Sequence, residues 1–111
     1  MKMPKKIKVS YSDYEISEAR KEFADQNLFD GLTDFEQQKI KYKADLKPND
    51  VVNTIIHEIL HCINFHFGMK HTQAQSSKME EQFVDCAANG LTTVFRDNPE
   101  LLTWIKATLT K

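Results

Sequence analysis

The stretch from Asp50 to Phe67 contains neither glycine nor proline, and its apolar residues recur at helical spacing. Val52, Ile55, Ile56, Ile59, Leu60, Ile63 and Phe67 form one broad stripe at about 100° per residue. Pro48-Asn49-Asp50 opens this helix and Gly68 ends it. A helix with one strongly apolar face must bury that face against another element, so the rest of the chain has to supply a partner layer. The polar loop over 69–77 leads to a second helix over about 78–96. Its stripe is Phe83, Val84, Ala87, Ala88, Leu91, Val94 and Phe95. Asn98 is placed to cap a third helix, with Pro99 at its first position and Glu100 behind it. Leu101, Leu102, Trp104, Ile105 and Leu109 give that helix its apolar face.

The first half of the chain reads differently. Residues 6–16 predict a strand with Ile7, Val9 and Tyr11 on one face. Ser17 then caps a short helix over 18–28, with Phe23 and Leu28 apolar, and Asp30-Gly31 signals a turn. Residues 35–44 predict a second strand, in which Ile40, Tyr42 and Ala44 alternate with Lys39, Lys41 and Lys43. Lysines on one face suit a sheet edge, where charge discourages unwanted pairing. Strands first and helices after give an α+β class. At 111 residues the expectation is a single domain over 1–111.

Lys+Arg 15 against Asp+Glu 16 argues against nucleic acid or an anionic membrane as partner. No apolar run reaches the roughly 18–20 residues of a membrane helix. The basic start is followed by Ile7-Lys8-Val9-Ser10, which is no signal-peptide core, so the expected location is the cytoplasm. Two cysteines, Cys62 and Cys86, fit reduced, buried thiols better than a disulfide framework.

The first helix carries His57-Glu58-Ile59-Leu60-His61, an H-E-x-x-H. Histidines four apart share a helical face and can bind one zinc ion, while the glutamate can take a proton from a zinc-bound water. On the wheel, His57, Glu58 and His61 fall opposite the apolar stripe, facing a cleft, and Phe65 shares their face. A shuffled chain of this composition would show the motif on the order of 1% of the time. A catalytic zinc needs a third protein ligand. The extended H-E-x-x-H-x-x-G-x-x-H pattern is excluded, because its slots hold Asn64 and Phe67. His66 lies on the opposite side of the helix and His71 in the loop, and both read as surface histidines. Glu81, twenty positions after His61, is the favoured ligand, with Asp85 one turn on to accept the free N–H of a zinc-bound histidine. Glu80, inside the apolar stripe of the second helix, is the alternative ligand. Imidazole and carboxylate also accept cobalt, nickel or manganese.

His57-Glu58-x-x-His61 followed by Glu81-x-x-x-Asp85 resembles the Glu-zincin metallopeptidases, to which thermolysin belongs. The likeness implies His57, His61 and Glu81 as zinc ligands, Glu58 as general base, and Asp85 as support for a histidine. Residues 28–105 as a whole look closer to small bacterial and phage proteins of the ImmA/IrrE-like kind. That likeness implies a minimal zincin-like fold with one Zn2+ per chain, a protein or peptide substrate, and a phage or prophage origin. The chain departs from the larger peptidases in having no room for the further domain that supplies oxyanion donors. Tyr42, His66 and His71 are the substitutes available. Three functions follow: a zinc endopeptidase aligning its substrate along the strand at 35–44, a zinc-binding regulatory or interaction module without hydrolysis, and a metal-free helical interaction domain.

Overall fold

The computed structural model describes residues 2–20, 30–67 and 76–110; for residues 76–81, 84 and 85 it describes the backbone alone. Among the described residues there are four strands and three helices: β1 (Lys6–Val9), β2 (Ser12–Glu18), β3 (Gly31–Asp34), β4 (Lys39–Tyr42), α1 (Pro48–Phe67), α2 (Ser76–Asp97) and α3 (Pro99–Leu109). The class is α+β. The strands form one mixed sheet in the order β1-β2-β4-β3, in which β2 and β4 run parallel and the outer pairs antiparallel.

The sheet buries one face. Ile7, Val9, Tyr14, Ile16 and Ile40 point inward and meet Val52, Ile55, Ile59, Cys62 and Ile63 of α1. Val94 of α2 and Leu101 and Trp104 of α3 complete this core. Each of these larger side chains contributes roughly 1.5–3 kcal/mol by leaving water. Gly90 lets α2 approach α1, since a Cβ there would lie 2.4 Å from Ile63 Cγ2. The opposite face of the sheet is polar. Across the four strands, Lys6, Glu15, Lys39 and Asp34 stand directly opposite one another, so charge sign alternates along the row. Such pairs contribute roughly 0.2–1 kcal/mol each.

This arrangement corrects several expectations. The strand expected over 6–16 is a hairpin, because Val9 pairs with Ser12 and the chain reverses at Ser10-Tyr11. Ser10 takes the positive φ (59°) that a tight hairpin turn needs, without the usual glycine or asparagine to announce it. Tyr11 therefore sits at the tip, 97% exposed, instead of on the core face. Ser17 is no helix cap; it lies in β2 opposite Lys41. The remainder of the expected helix, with Phe23 and Leu28, lies outside the described residues. The strand expected over 35–44 shrinks to Lys39–Tyr42. The residues before it turn, with the Gln37 N–H donating to Asp34 Oδ1 at 2.9 Å and Gln38 at φ 58°. Gly31, read as a turn, opens β3 instead. β4 is then interior, between β2 and β3, and its lysines alternate because one face of the sheet meets water.

The helices match their expected ranges within two residues. Phe67, Phe83, Leu102 and Leu109, all assigned to apolar stripes, are exposed. Asn98 precedes α3, yet its side chain makes no capping hydrogen bond to that helix. Its Oδ1 accepts the Lys8 N–H at 2.8 Å, and its Nδ2 donates to the carbonyls of Lys8 (2.9 Å) and Val94 (2.8 Å). A buried amide thus ties the α2–α3 junction to the backbone of the edge strand β1. No helix among the described residues is long and apolar enough to cross a membrane.

Asn98→Ala removes three hydrogen bonds from a buried position and strands the backbone groups of Lys8 and Val94. The expected loss is about 2–4 kcal/mol in urea unfolding. Asn98→Asp keeps the acceptor for the Lys8 N–H but loses both donors, so it is expected to destabilise as well.

Candidate functional site

Helix geometry sets the site. His57 and His61 are one turn apart on the exposed side of α1, and Glu58 is rotated from His57 by about 100° towards the sheet. The histidines face solvent, while Glu58 is only 5% exposed. The wheel grouped all three opposite the apolar stripe; Glu58 instead lies at the boundary and turns inward. It meets β3 there: the Thr33 hydroxyl donates to Glu58 Oε1 at 2.8 Å.

His57 Nε2 and His61 Nε2 are 3.1 Å apart. In this hydrogen bond one ring donates its Nε2–H to the lone pair of the other. Two nitrogens bound at about 2.0–2.1 Å to one tetrahedral ion stand about 3.3 Å apart. The observed separation is close to that value, so the two nitrogens are near enough to serve one ion once neither carries the shared proton. Gly31, Leu32, Thr33 and Phe35 close a cleft of about 320 Å³ over His57, Glu58 and His61. A smaller hollow of about 190 Å³, lined by Asp30, Asn53 and Thr54, shares Gly31, His57 and Glu58 with it. Phe65 is on the motif face as expected, where its ring stacks on that of Phe35 with centroids 4.4 Å apart.

The residues expected to supply a third ligand are described in backbone only. Glu80, Glu81 and Asp85 lie in the first half of α2, which packs on α1 where Cys86 and Gly90 meet Ile63. The side chains of Glu80, Glu81 and Asp85 are outside the described ones. Among the described residues no three His, Cys, Asp or Glu side chains are grouped to hold a metal ion.

The three substitute oxyanion donors fare unequally. Tyr42 and His66 are absent from the described lining of the cleft, and His71 is outside the described residues. His66 is not a plain surface histidine: its Nε2 shares a 2.6 Å hydrogen bond with the buried Tyr14 phenol. Burial raises the Tyr14 pKa above its ordinary value, and neighbouring Cys62 adds to this. Both cysteines are free. Burial pushes the Cys62 thiol up to about 12; the negative charge of Glu58 raises it further, while hydrogen bonding to Tyr14 and Thr33 acts the other way. Gly31 and Thr33 were not among the expected site residues. The signal was present, because two small residues two apart share a strand face, but it becomes readable only once β3 is recognised.

The neutral Cys62 thiol is a property of the folded state. Above the ordinary value of 9.0 the unfolded chain ionises while the folded chain does not. Its contribution to stability is therefore complete below pH 9 and declines as pH rises from about 9 towards about 12. In urea titrations at successive pH values, Cys62→Ala is expected to show a shallower alkaline decline than wild type. Native Cys62 is expected to resist a thiol reagent at pH 8 and to react once unfolded.

Compared with family models, with curated proteins and with solved structures, the chain matches none. The resemblance to the Glu-zincins thus rests on the sequence motif alone.

Proposed function

We propose that the chain is a zinc-dependent metallopeptidase in which His57, His61 and Glu81 hold the ion, Glu58 is the general base, and Asp85 orients a ligating histidine. The observation that carries this reading is the pair of Nε2 atoms 3.1 Å apart, beside a glutamate that faces the same cleft. Bound zinc would polarise a scissile carbonyl and make its water acidic. Glu58 is the residue that would accept the proton from that water and pass it to the leaving amine. Its Oε1 is engaged by Thr33, so Oε2 is the atom that exchanges the proton. The strand that can align an extended peptide is β3, since among the described strands β4 is paired on both sides and β3 on one.

A second reading is a zinc-binding module with little or no hydrolysis. What favours it is the burial of Glu58 and the lack, among the described cleft residues, of a side chain suited to stabilise an oxyanion.

Metal analysis of untagged protein tests the site. One zinc per chain, lost with Glu81→Ala and retained with Glu80→Ala, is the expected result; loss with Glu80→Ala instead moves the third ligand by one residue. Absence of zinc after reconstitution would overturn both readings. Glu58→Gln separates them: the peptidase reading expects retained zinc and hydrolysis of unfolded casein reduced about 100-fold or more. Wild-type protein that binds zinc and cleaves nothing leaves the binding module.

A further inference from the structure

We propose that Gly31 and Thr33 of β3 are positioning residues that seat the Glu58 carboxylate as a proton acceptor. This rests on reading Glu58 as the general base. The two residues lie two apart in a strand, so they present the same face, and that face meets α1 at Thr54 and Glu58. Each handles a different carboxylate oxygen. The Thr33 hydroxyl donates to Oε1 at 2.8 Å and fixes the rotation of the group. Gly31 leaves space at Oε2: a Cβ there would lie 3.0 Å from Oε2, 3.3 Å from Glu58 Cγ and 2.5 Å from Thr54 Cγ2. Any side chain at 31 would press on the carboxylate and on the methyl behind it. Gly31 also lines both hollows beside His57 and Glu58, so its missing side chain keeps them open above Oε2.

A carboxylate held at one oxygen and open at the other suits proton transfer. The bound oxygen sets the direction of the group, and the open one can reach a water held near the histidines. A glutamate on a helix has several rotatable bonds. Without the seat, Oε2 would spend much of its time away from the cleft, and misplacement by about 1 Å can cost about 100-fold in rate. The β3 contact thus converts a merely buried glutamate into an aimed one. It also makes one strand serve two purposes: its inward face positions the base, and its edge, unpaired among the described strands, borders the same cleft.

Thr33→Val keeps the shape and removes the donor; Thr33→Ser restores the donor. For a fluorogenic peptide selected with wild-type protein, Thr33→Val is expected to lower kcat about 10-fold or more with KM within about 2-fold. Zinc content is expected to stay near wild type and the melting temperature to fall by a few degrees, since a buried acceptor loses its donor; Thr33→Ser is expected to recover kcat to within about 3-fold. Gly31→Ala is expected to lose at least as much activity while retaining zinc. A second readout needs neither metal nor substrate: in the metal-free protein, the Glu58 ¹³Cδ resonance, assigned with Glu58→Gln, should move in Thr33→Val and not in Thr33→Ser. Unchanged kcat in Thr33→Val, failure of serine to rescue, or an unmoved resonance would each overturn the seat. If wild type hydrolyses and Thr33→Val does so equally well, the seat falls and the peptidase reading stands. If the resonance moves but wild type cleaves nothing, the peptidase reading falls and the contact is structural only.

Discussion

The packing of α1 across the inner face of the sheet is the constraint on which the rest depends. Ile55, Ile59 and Ile63 recur at four-residue spacing and are buried against the strands. That choice of buried side fixes the rotation of the helix, and with it the exposure of every other position. His57 and His61 must face water and Glu58 must lie at the boundary, because about 100° separates successive residues. The H-E-x-x-H motif is therefore split by the surface of the protein. The two imidazoles are exposed and the carboxylate is in contact with β3. A single helix rotation thus brings all three side chains to one cleft.

The α-helical half was legible in the sequence because its signals are long and redundant. Eighteen residues without a breaker, a proline at the start of α1 and Pro99 after Asn98 all point one way. The β half was legible in class but not in detail. Its turns occur at Ser10-Tyr11 and over Phe35–Gln38, where neither glycine nor proline marks them. Ser10 and Gln38 accept positive φ because tertiary pairing of the flanking strands compensates for the local cost. A pattern read along the chain cannot see that compensation. The same blindness placed β4 at an edge: alternating lysines report that one face meets water, and say nothing about which strands lie alongside.

Asn98 shows the converse error. Its position before Pro99 is a strong local signature for a capping residue, and helix α3 does begin there. The side chain nevertheless spends its three hydrogen bonds on Lys8 and Val94. The reason lies ninety residues away, in an edge strand whose N–H and C=O would otherwise lack partners beneath the α2–α3 junction. Proline at the first helical position lessens the need for a cap, since it brings no N–H of its own. Asn98 is thereby released to join the two halves of the fold. The site residues follow the same division: His57, Glu58 and His61 were legible because one helix holds them, whereas Gly31 and Thr33 belong to a strand that only the sheet defines.

Burying Glu58 has a cost that the fold must offset. A carboxylate taken from water loses hydration worth several kcal/mol unless hydrogen bonds replace it. One hydroxyl from Thr33 replaces part of that hydration, and no described buried side-chain nitrogen or oxygen is left without a partner. A core optimised for stability alone would carry an apolar residue at position 58, continuous with Ile55 and Ile59. Around it, burial keeps Cys62 and Tyr14 protonated to higher pH than their ordinary values would. The fold therefore keeps a carboxylate at a position where stability alone would not place one, and holds it with a donor from β3, as the proposed proton acceptor would require.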